Sequence, residues 1–248
     1  MLKIVADDLG LYESVNRGIV LGLREGFITE ASLMANGEAF FDAVEKVKDF
    51  KDRIGIHLVL VEEKSVLSGA GLTKDYRRFF LKYCLGLINI GDVEKELEAQ
   101  ISKIEAMGLK PTFINSHQHL HLLPGIIDVT INVAKRHSIS YIRVVNEPSG
   151  RGSLYRRVQL MLLKYFSKAA RKKILRAGLK CNDIFIGFLN AGRLEQEDIN
   201  LARRLAEEGK TVELGCHPGF EDEVLRVKYK HWGGYNWEKE LDNLKTPS

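Results

Sequence analysis

Cysteine is scarce in this chain: Cys84, Cys181 and Cys216 are the only three in 248 residues. They are odd in number, widely spaced and without a CxxC pair, which argues against a disulfide framework and for a reducing compartment. No apolar run approaches the ~20 residues needed to cross a bilayer. The N-terminal MLKIVADDLG lacks the long apolar core of a signal peptide and reads as a first strand. A soluble, cytoplasmic protein is expected. Neither charge sign prevails: 37 basic against 33 acidic residues leave +4, too little to argue for nucleic acid as a partner. Internal repeats, low-complexity tracts and interdomain linkers are also missing, so one domain over residues 1–248 is expected. With 45% hydrophobic residues the chain can bury a sizeable core.

What is present is an alternation. Short β-rich runs at 3–6, 29–34, 54–60, 112–115, 141–145, 183–188 and 211–215 are separated by helical patterns near 14–25, 38–49, 92–107, 125–137, 154–177 and 195–208. The pattern at 92–107 is the clearest, with Asp92 as N-cap, a stripe of Val93, Leu97, Ile101 and Ile104, and Gly108 as its stop. About seven βα units imply parallel strands with helical crossovers: an α/β fold, either a barrel-like (β/α) fold or a doubly wound sheet.

Chemistry in such folds collects at the carboxyl ends of the strands. There the sequence places Asp7 and Asp8 after KIVA, His57 within IGIHLVL, and Asn115, Ser116 and His117 after PTFI. It adds Arg143 in YIRVV, Asn190 after FIGF, and His217 after VELGC. Each has an ordinary reading. Asp-Asp can be a turn with an N-cap, His57 a hydrogen-bonded core histidine, and His119 and His121 solvated loop residues. Cys216 beside His217 suggests a thiol nucleophile, but neighbours on a strand point to opposite faces, so Cys216 packs inward. The joint placement is what carries weight. Borderline divalent metals favour imidazole plus carboxylate, and one Asp with two His from three strand ends satisfies that preference. NSHQHLH, residues 115–121, then reads as a metal corner whose further imidazoles support it or meet substrate.

ADDLG, GIHLVL, NSHQHLHLLP and GCHPGF, in that order over roughly residues 1–220, resemble the YdjC-type carbohydrate deacetylases, a family that includes chitooligosaccharide deacetylases and a hopanoid-biosynthesis branch. The resemblance implies a barrel-like βα fold similar to that of the NodB-type deacetylases. It implies removal of an N-acetyl group from an amino sugar with one divalent metal ion, magnesium or zinc. Asp8, His57 and His117 would be the metal ligands, Asp7 the general base, and His217 the acid that protonates the leaving amine. Asn115 stands where related sequences often have Asp, and Leu9 where they often have Phe.

The local shape of the histidine segment stays open. As a strand it puts His117, His119 and His121 on one face; as a helical turn it pairs His117 with His121 at i and i+4. His117 is the assigned ligand, His121 an outside candidate, and His119 a lining of the sugar pocket. Arg143 either holds Asp7 by a charge-assisted hydrogen bond or binds substrate. A metal phosphoesterase and a non-catalytic carbohydrate-binding protein are the competing functions.

Two segments bear on substrate and partners. Residues 62–91 form a long connection containing Tyr76, Arg77 and Arg78, which reads as a packed surface helix or a binding loop. Residues 151–176 carry nine basic residues and no acidic one. Their stripe of Leu154, Val158, Met161, Leu162, Tyr165 and Ala169 reads as the core face of a crossover helix. The basic excess also fits a helix lying on anionic membrane or touching a phosphorylated substrate. A homodimer is left open.

Overall fold

A computed structural model describes residues 1–148, 150 and 152–245; Arg151, where the basic segment begins, lies outside the described residues. Six parallel strands form a curled half-barrel: β1 (Leu2–Leu9), β2 (Glu30–Leu33), β3 (Ile54–Leu58), β4 (Ile114–Ser116), β5 (Ile184–Ile186) and β6 (Val212–Cys216), in the order β4-β3-β2-β1-β6-β5. β1 is central, pairing with β2 on one side and β6 on the other. Its near-continuous burial from Ile4 onward is what a strand covered on both faces requires.

The expected seventh strand, residues 141–145, is not formed. Its backbone reaches β4 only through single bonds, Ile114 N–H to the Tyr141 carbonyl and Arg143 N–H to the Ile114 carbonyl, both at 2.9 Å. On its other side, side chains occupy the groups a ladder would need. The Asn182 amide bonds both the N–H and the carbonyl of Val144, and Ser167 Oγ accepts from Val145 N–H. Side-chain competition of this kind ends regular pairing. The segment still links the two sheet edges, since Ile142 N–H donates to the Lys180 carbonyl and Phe185 N–H to that of Asn146.

Helices follow the apolar spacing. α1 (Glu13–Glu25) buries Val15, Ile19 and Leu23 at i, i+4, i+8, and Gly26 closes it at φ 84°. α2 (Phe40–Lys46) is short, and α3 (Tyr76–Cys84) lies within the long 62–91 connection. α4 (Ile90–Ala106) begins two residues earlier than expected, because Asn89 rather than Asp92 accepts the first amides; its stripe and its Gly108 stop stand as read. α5 (Ile126–Arg136), α6 (Leu154–Arg176), α7 (Gln196–Glu207), α8 (Glu223–Lys228) and α9 (Trp237–Lys245) complete the order. α6 departs from its ordinary reading: Leu160, Ser167, Ala170 and Ile174 face inward, whereas Leu154, Val158, Met161, Leu162, Tyr165 and Ala169 are exposed.

Candidate metal and hydrolytic site

Asp7 and Asp8 are consecutive in β1, so a regular strand would aim them at opposite faces. Instead the register with β2 shifts between Ala6 and Leu9, and Asp8 takes a left-handed φ of 64°. A bulge there re-aims a side chain at a strand end, and both carboxylates become buried in one polar cluster.

The histidine segment is neither of the two shapes considered. Residues His117–Leu122 form a tight turn kinked at Gln118 (φ 56°) and His119 (φ 55°). Two successive left-handed non-glycine residues are a costly local conformation, of the sort the surroundings must enforce. The kink sends the three imidazoles to three destinations. His117 turns to Asp8, with Nδ1 3.5 Å from Oδ1. His119 packs between the rings of Phe185 and Phe188, with centroids 5.6 and 5.7 Å away. His121 is locked: Nε2 donates to the Arg143 carbonyl at 2.9 Å, and Nδ1 accepts from Ser116 Oγ at 2.6 Å. Both ring nitrogens of His121 are therefore engaged away from Asp8. Burial pushes its pKa down to about 4, and burial with the nearby Arg143 charge pushes that of His119 well down too.

Asp8, His57 and His117 offer ligand atoms all within 4.8 Å of one another, and all three residues are buried. His57 Nδ1 lies 2.8 Å from Asn115 Oδ1. The Asn115 amide nitrogen donates to Asp7 and to Ser32 Oγ, so its oxygen faces His57 and Nδ1 carries the proton. His57 Nε2 is then a bare lone pair 3.2 Å from Asp8 Oδ1, and neither atom has a hydrogen-bond partner among the described residues. Two buried acceptors facing each other are costly unless a cation or proton lies between them. One carboxylate and two neutral imidazoles also suit zinc-like divalent ions. The residues fit a metal.

Glu62 is a residue that sequence reasoning missed. Its Oε2 lies 3.3 Å from His117 Nε2 and accepts from Trp232 Nε1 at 2.6 Å. With Nε2–H given to Glu62, His117 keeps Nδ1 for a metal, an arrangement of outer carboxylate, imidazole and ion. Burial opposes ionisation of Glu62, but hydrogen bonding to His117 outweighs it and lowers its pKa. Against its burial, Asp8 and Glu62 push the His117 pKa up to about 10 without an ion, so a metal on Nδ1 would take the place of that second proton.

Asp7 sits in a second buried network. Arg143, wholly buried, donates from Nη1 to Oδ2 and from Nη2 to Oδ1 at 2.9 Å, while its Nε donates to Glu213. Tyr141 OH donates to the other Glu213 oxygen at 2.8 Å. Ser32 and Asn115 add bonds to Asp7 Oδ1 at 2.9 and 2.8 Å. Burial works to raise the Asp7 pKa, but the Arg143 guanidinium beside it holds it well below the usual carboxylate range. Burial works to raise the Asp8 pKa too, but the His117 and His57 imidazoles close beside it lower it well below the usual range.

His217 comes from the loop after β6. A Cβ on Gly18 would stand 2.6 Å from Gly219 Cα, so the missing side chain on α1 lets this loop lie against the helix. Its backbone N–H donates to Glu240 Oε2 of α9 at 2.6 Å, and Nδ1 is 3.8 Å from the same oxygen. Burial raises the Glu240 pKa. Cys216 packs inward, its thiol donating to the Val5 carbonyl, and burial raises its pKa well above the usual range. Aromatic rings line the same region: Trp232 lies 5.1 Å from the His117 ring and Tyr235 5.0 Å from that of His217. The dense stretch YKHWGGYNW at 229–237 was the available signal for them. Two named residues stand apart, since Asn190 binds Asp198 and Arg77 is occupied with Tyr76 and Tyr155.

The sequence profile of the YdjC-like protein family matches residues 1–248. The carbohydrate deacetylase of Mus musculus is 30% identical over 242 residues, covering 88% of this chain and 78% of that protein. That of Clostridium beijerinckii is 28% identical over 248 residues, covering 96% and 89%. A crystal structure of a candidate cellobiose-phosphate cleavage protein from Enterococcus faecalis V583 superposes with a TM-score of 0.72 at 21% identity, covering 99% of this chain and 90% of that one. This last likeness speaks for the half-barrel fold.

Proposed function

Because the chain belongs to the YdjC-like protein family, we propose that it is a carbohydrate deacetylase that hydrolyses the amide of an N-acetylated amino sugar with one divalent metal ion, magnesium or zinc. The observation that carries this reading is the buried cluster of Asp8, His57 and His117 with its facing, unpartnered acceptors. Those three residues would hold the ion. Bound there, a divalent cation supplies Lewis acidity toward an amide carbonyl and toward water.

The remaining work falls to the chain's own groups. Asp7 is kept ionised by Arg143, and its Oδ2, which among the described residues accepts only from Arg143 Nη1, keeps a lone pair for the proton of the attacking water. His217 delivers a proton to the departing amine, with the Glu240 carboxylate 3.8 Å from Nδ1 beside it. Asn115 and Glu62 orient His57 and His117 from behind. Trp232 and Tyr235 offer aromatic faces to the C–H face of a sugar ring.

Acetate release from a panel of free, nucleotide-linked and lipid-linked N-acetyl sugars tests the reading. Release should stop on chelation and return with added zinc or magnesium. Phosphate release from phosphosugars in place of acetate would make the protein a phosphoesterase. A metal-loaded protein that binds sugars and releases nothing would make it a binding protein.

A further inference from the structure

Ten of the sixteen large exposed hydrophobic residues among those described fall on two neighbouring elements. α6 exposes Leu154 (80%), Tyr155, Val158, Met161 (73%), Leu162, Tyr165 (72%) and Leu175; α3 and its C-terminal extension expose Leu81, Leu85 and Leu87. The two elements meet where Tyr76 OH bonds Tyr155 OH at 2.7 Å and Gln159 donates to Tyr76 OH at 2.9 Å. An apolar patch gathered this way on a water-exposed protein marks a contact surface.

Its charge is one-sided. α6 holds eight Lys or Arg and no Asp or Glu, and α3 holds three and none. Lys173 is paired with Asp128 and Arg171 with Asp183. Arg157, Lys168, Lys172 and Arg176 have no acidic partner among the described residues. By the 3.6-residue repeat, Arg157 and Lys168 flank the line Leu154–Val158–Met161–Tyr165, and Lys172 and Arg176 continue it.

We propose that the outer faces of α6 and α3 dock on an anionic lipid surface. Exposed leucine, methionine and tyrosine enter the headgroup boundary, and the flanking lysines and arginines meet lipid phosphates. A second copy of this chain is the poorer occupant, because a two-fold contact sets the same acid-free surfaces against each other. The docked face adjoins the rim of the site: Arg156 donates to the Phe188 carbonyl, and the Phe188 ring lies 5.7 Å from that of His119.

Cosedimentation with phosphatidylglycerol and phosphatidylcholine vesicles at low and moderate salt tests the proposal. The wild type should bind the anionic vesicles far better, and less well as salt rises. The triple variant Arg157→Gln, Lys168→Gln, Lys172→Gln should lose roughly two orders of magnitude of anionic binding. Met161→Ser with Tyr165→Ser should lose at least about tenfold with its charges intact. All these positions are exposed, and unchanged circular dichroism melting confirms that the variants fold. Wild type that ignores anionic vesicles at low salt overturns the proposal, as do variants that bind like wild type. So does a dimer in sedimentation velocity that the serine variant dissolves without any vesicle binding, which makes the face a self-interface. Binding to polyglutamate but not to vesicles assigns it instead to an acidic protein.

Discussion

Asn115 accepts a hydrogen bond from Nδ1 of His57 at 2.8 Å, and the same amide's nitrogen donates to Asp7 at 2.8 Å. One neutral side chain therefore fixes the tautomer of the imidazole that faces Asp8 and steadies the carboxylate proposed as base. An aspartate at this position could accept from His57 but could not donate to Asp7 while ionised.

Removing that amide should loosen the metal corner without removing a ligand. Asn115→Ala is expected to weaken zinc binding by about 10- to 100-fold, the usual effect of losing a group behind a metal-ligating histidine. Competition against a chelator of known affinity measures it. Unchanged affinity would mean that His57 is oriented by Ser32 alone, whose Oγ lies 3.3 Å from Nδ1.

The ligands themselves should behave as a set. Alanine at Asp8, His57 or His117 removes one of about three protein bonds to the ion and should strip most of the metal. Elemental analysis of protein purified in zinc-supplemented buffer reads this directly. A His57→Ala protein with full metal content would take that residue out of the coordination sphere.

Arg143 is a structural test of the buried network. It is wholly buried and bridges Asp7 and Glu213, so Arg143→Met leaves two carboxylates uncompensated. Breaking a buried pair from one side typically destabilises by about 3–5 kcal/mol. Arg143→Lys should recover only part, because an ammonium cannot reproduce the guanidinium fork. Urea denaturation of both variants, with Arg143→Met, Glu213→Gln as the partial rescue, checks the account; equal stability of wild type and Arg143→Met would refute it.

Much of this architecture was legible because apolar runs and strand ends are local signals. Six of the seven expected strands formed, and Asp8, His57 and His117 converge. The seventh run, YIRVV, has strand composition, but Asn182 and Ser167 reach its backbone from distant positions. The bulge at Asp8 and the kink at Gln118–His119 are backbone choices that residue spacing cannot announce. Glu62 and Glu240 were missed for a related reason: each meets its histidine only through tertiary folding, from a long loop and from the last helix. The outward turn of the α6 stripe escaped because periodicity reports an apolar face and not what covers it.

Asp7→Asn separates chemistry from binding. The variant keeps the shape of the site and should keep its metal and its KM, while kcat falls by about two to four orders of magnitude, the scale of a lost general base. Steady-state kinetics on the N-acetyl sugar that releases acetate fastest decides it; near-wild-type turnover would move the base elsewhere.

Glu147 gives a pH signature independent of the Asp8, His57 and His117 cluster. It is buried, and its Oε2 accepts from the backbone N–H of Phe188 at 2.7 Å and Leu189 at 3.1 Å. Burial outweighs those bonds and pushes its pKa up from 4.5 to about 7. The folded state therefore holds this proton more tightly than the unfolded chain. The stability it contributes is fully present below about pH 4.5 and is lost as pH rises through about 7. At 1.36 kcal/mol per pKa unit the change is on the order of 3 kcal/mol. Glutamine resembles the protonated acid and does not titrate, so Glu147→Gln should gain on wild type by that order between pH 4.5 and 8. Urea denaturation of both proteins across this range isolates the effect, because every other titrating group is common to the two. Parallel stability profiles would show that Glu147 stays ionised throughout, held by the Phe188 and Leu189 amides.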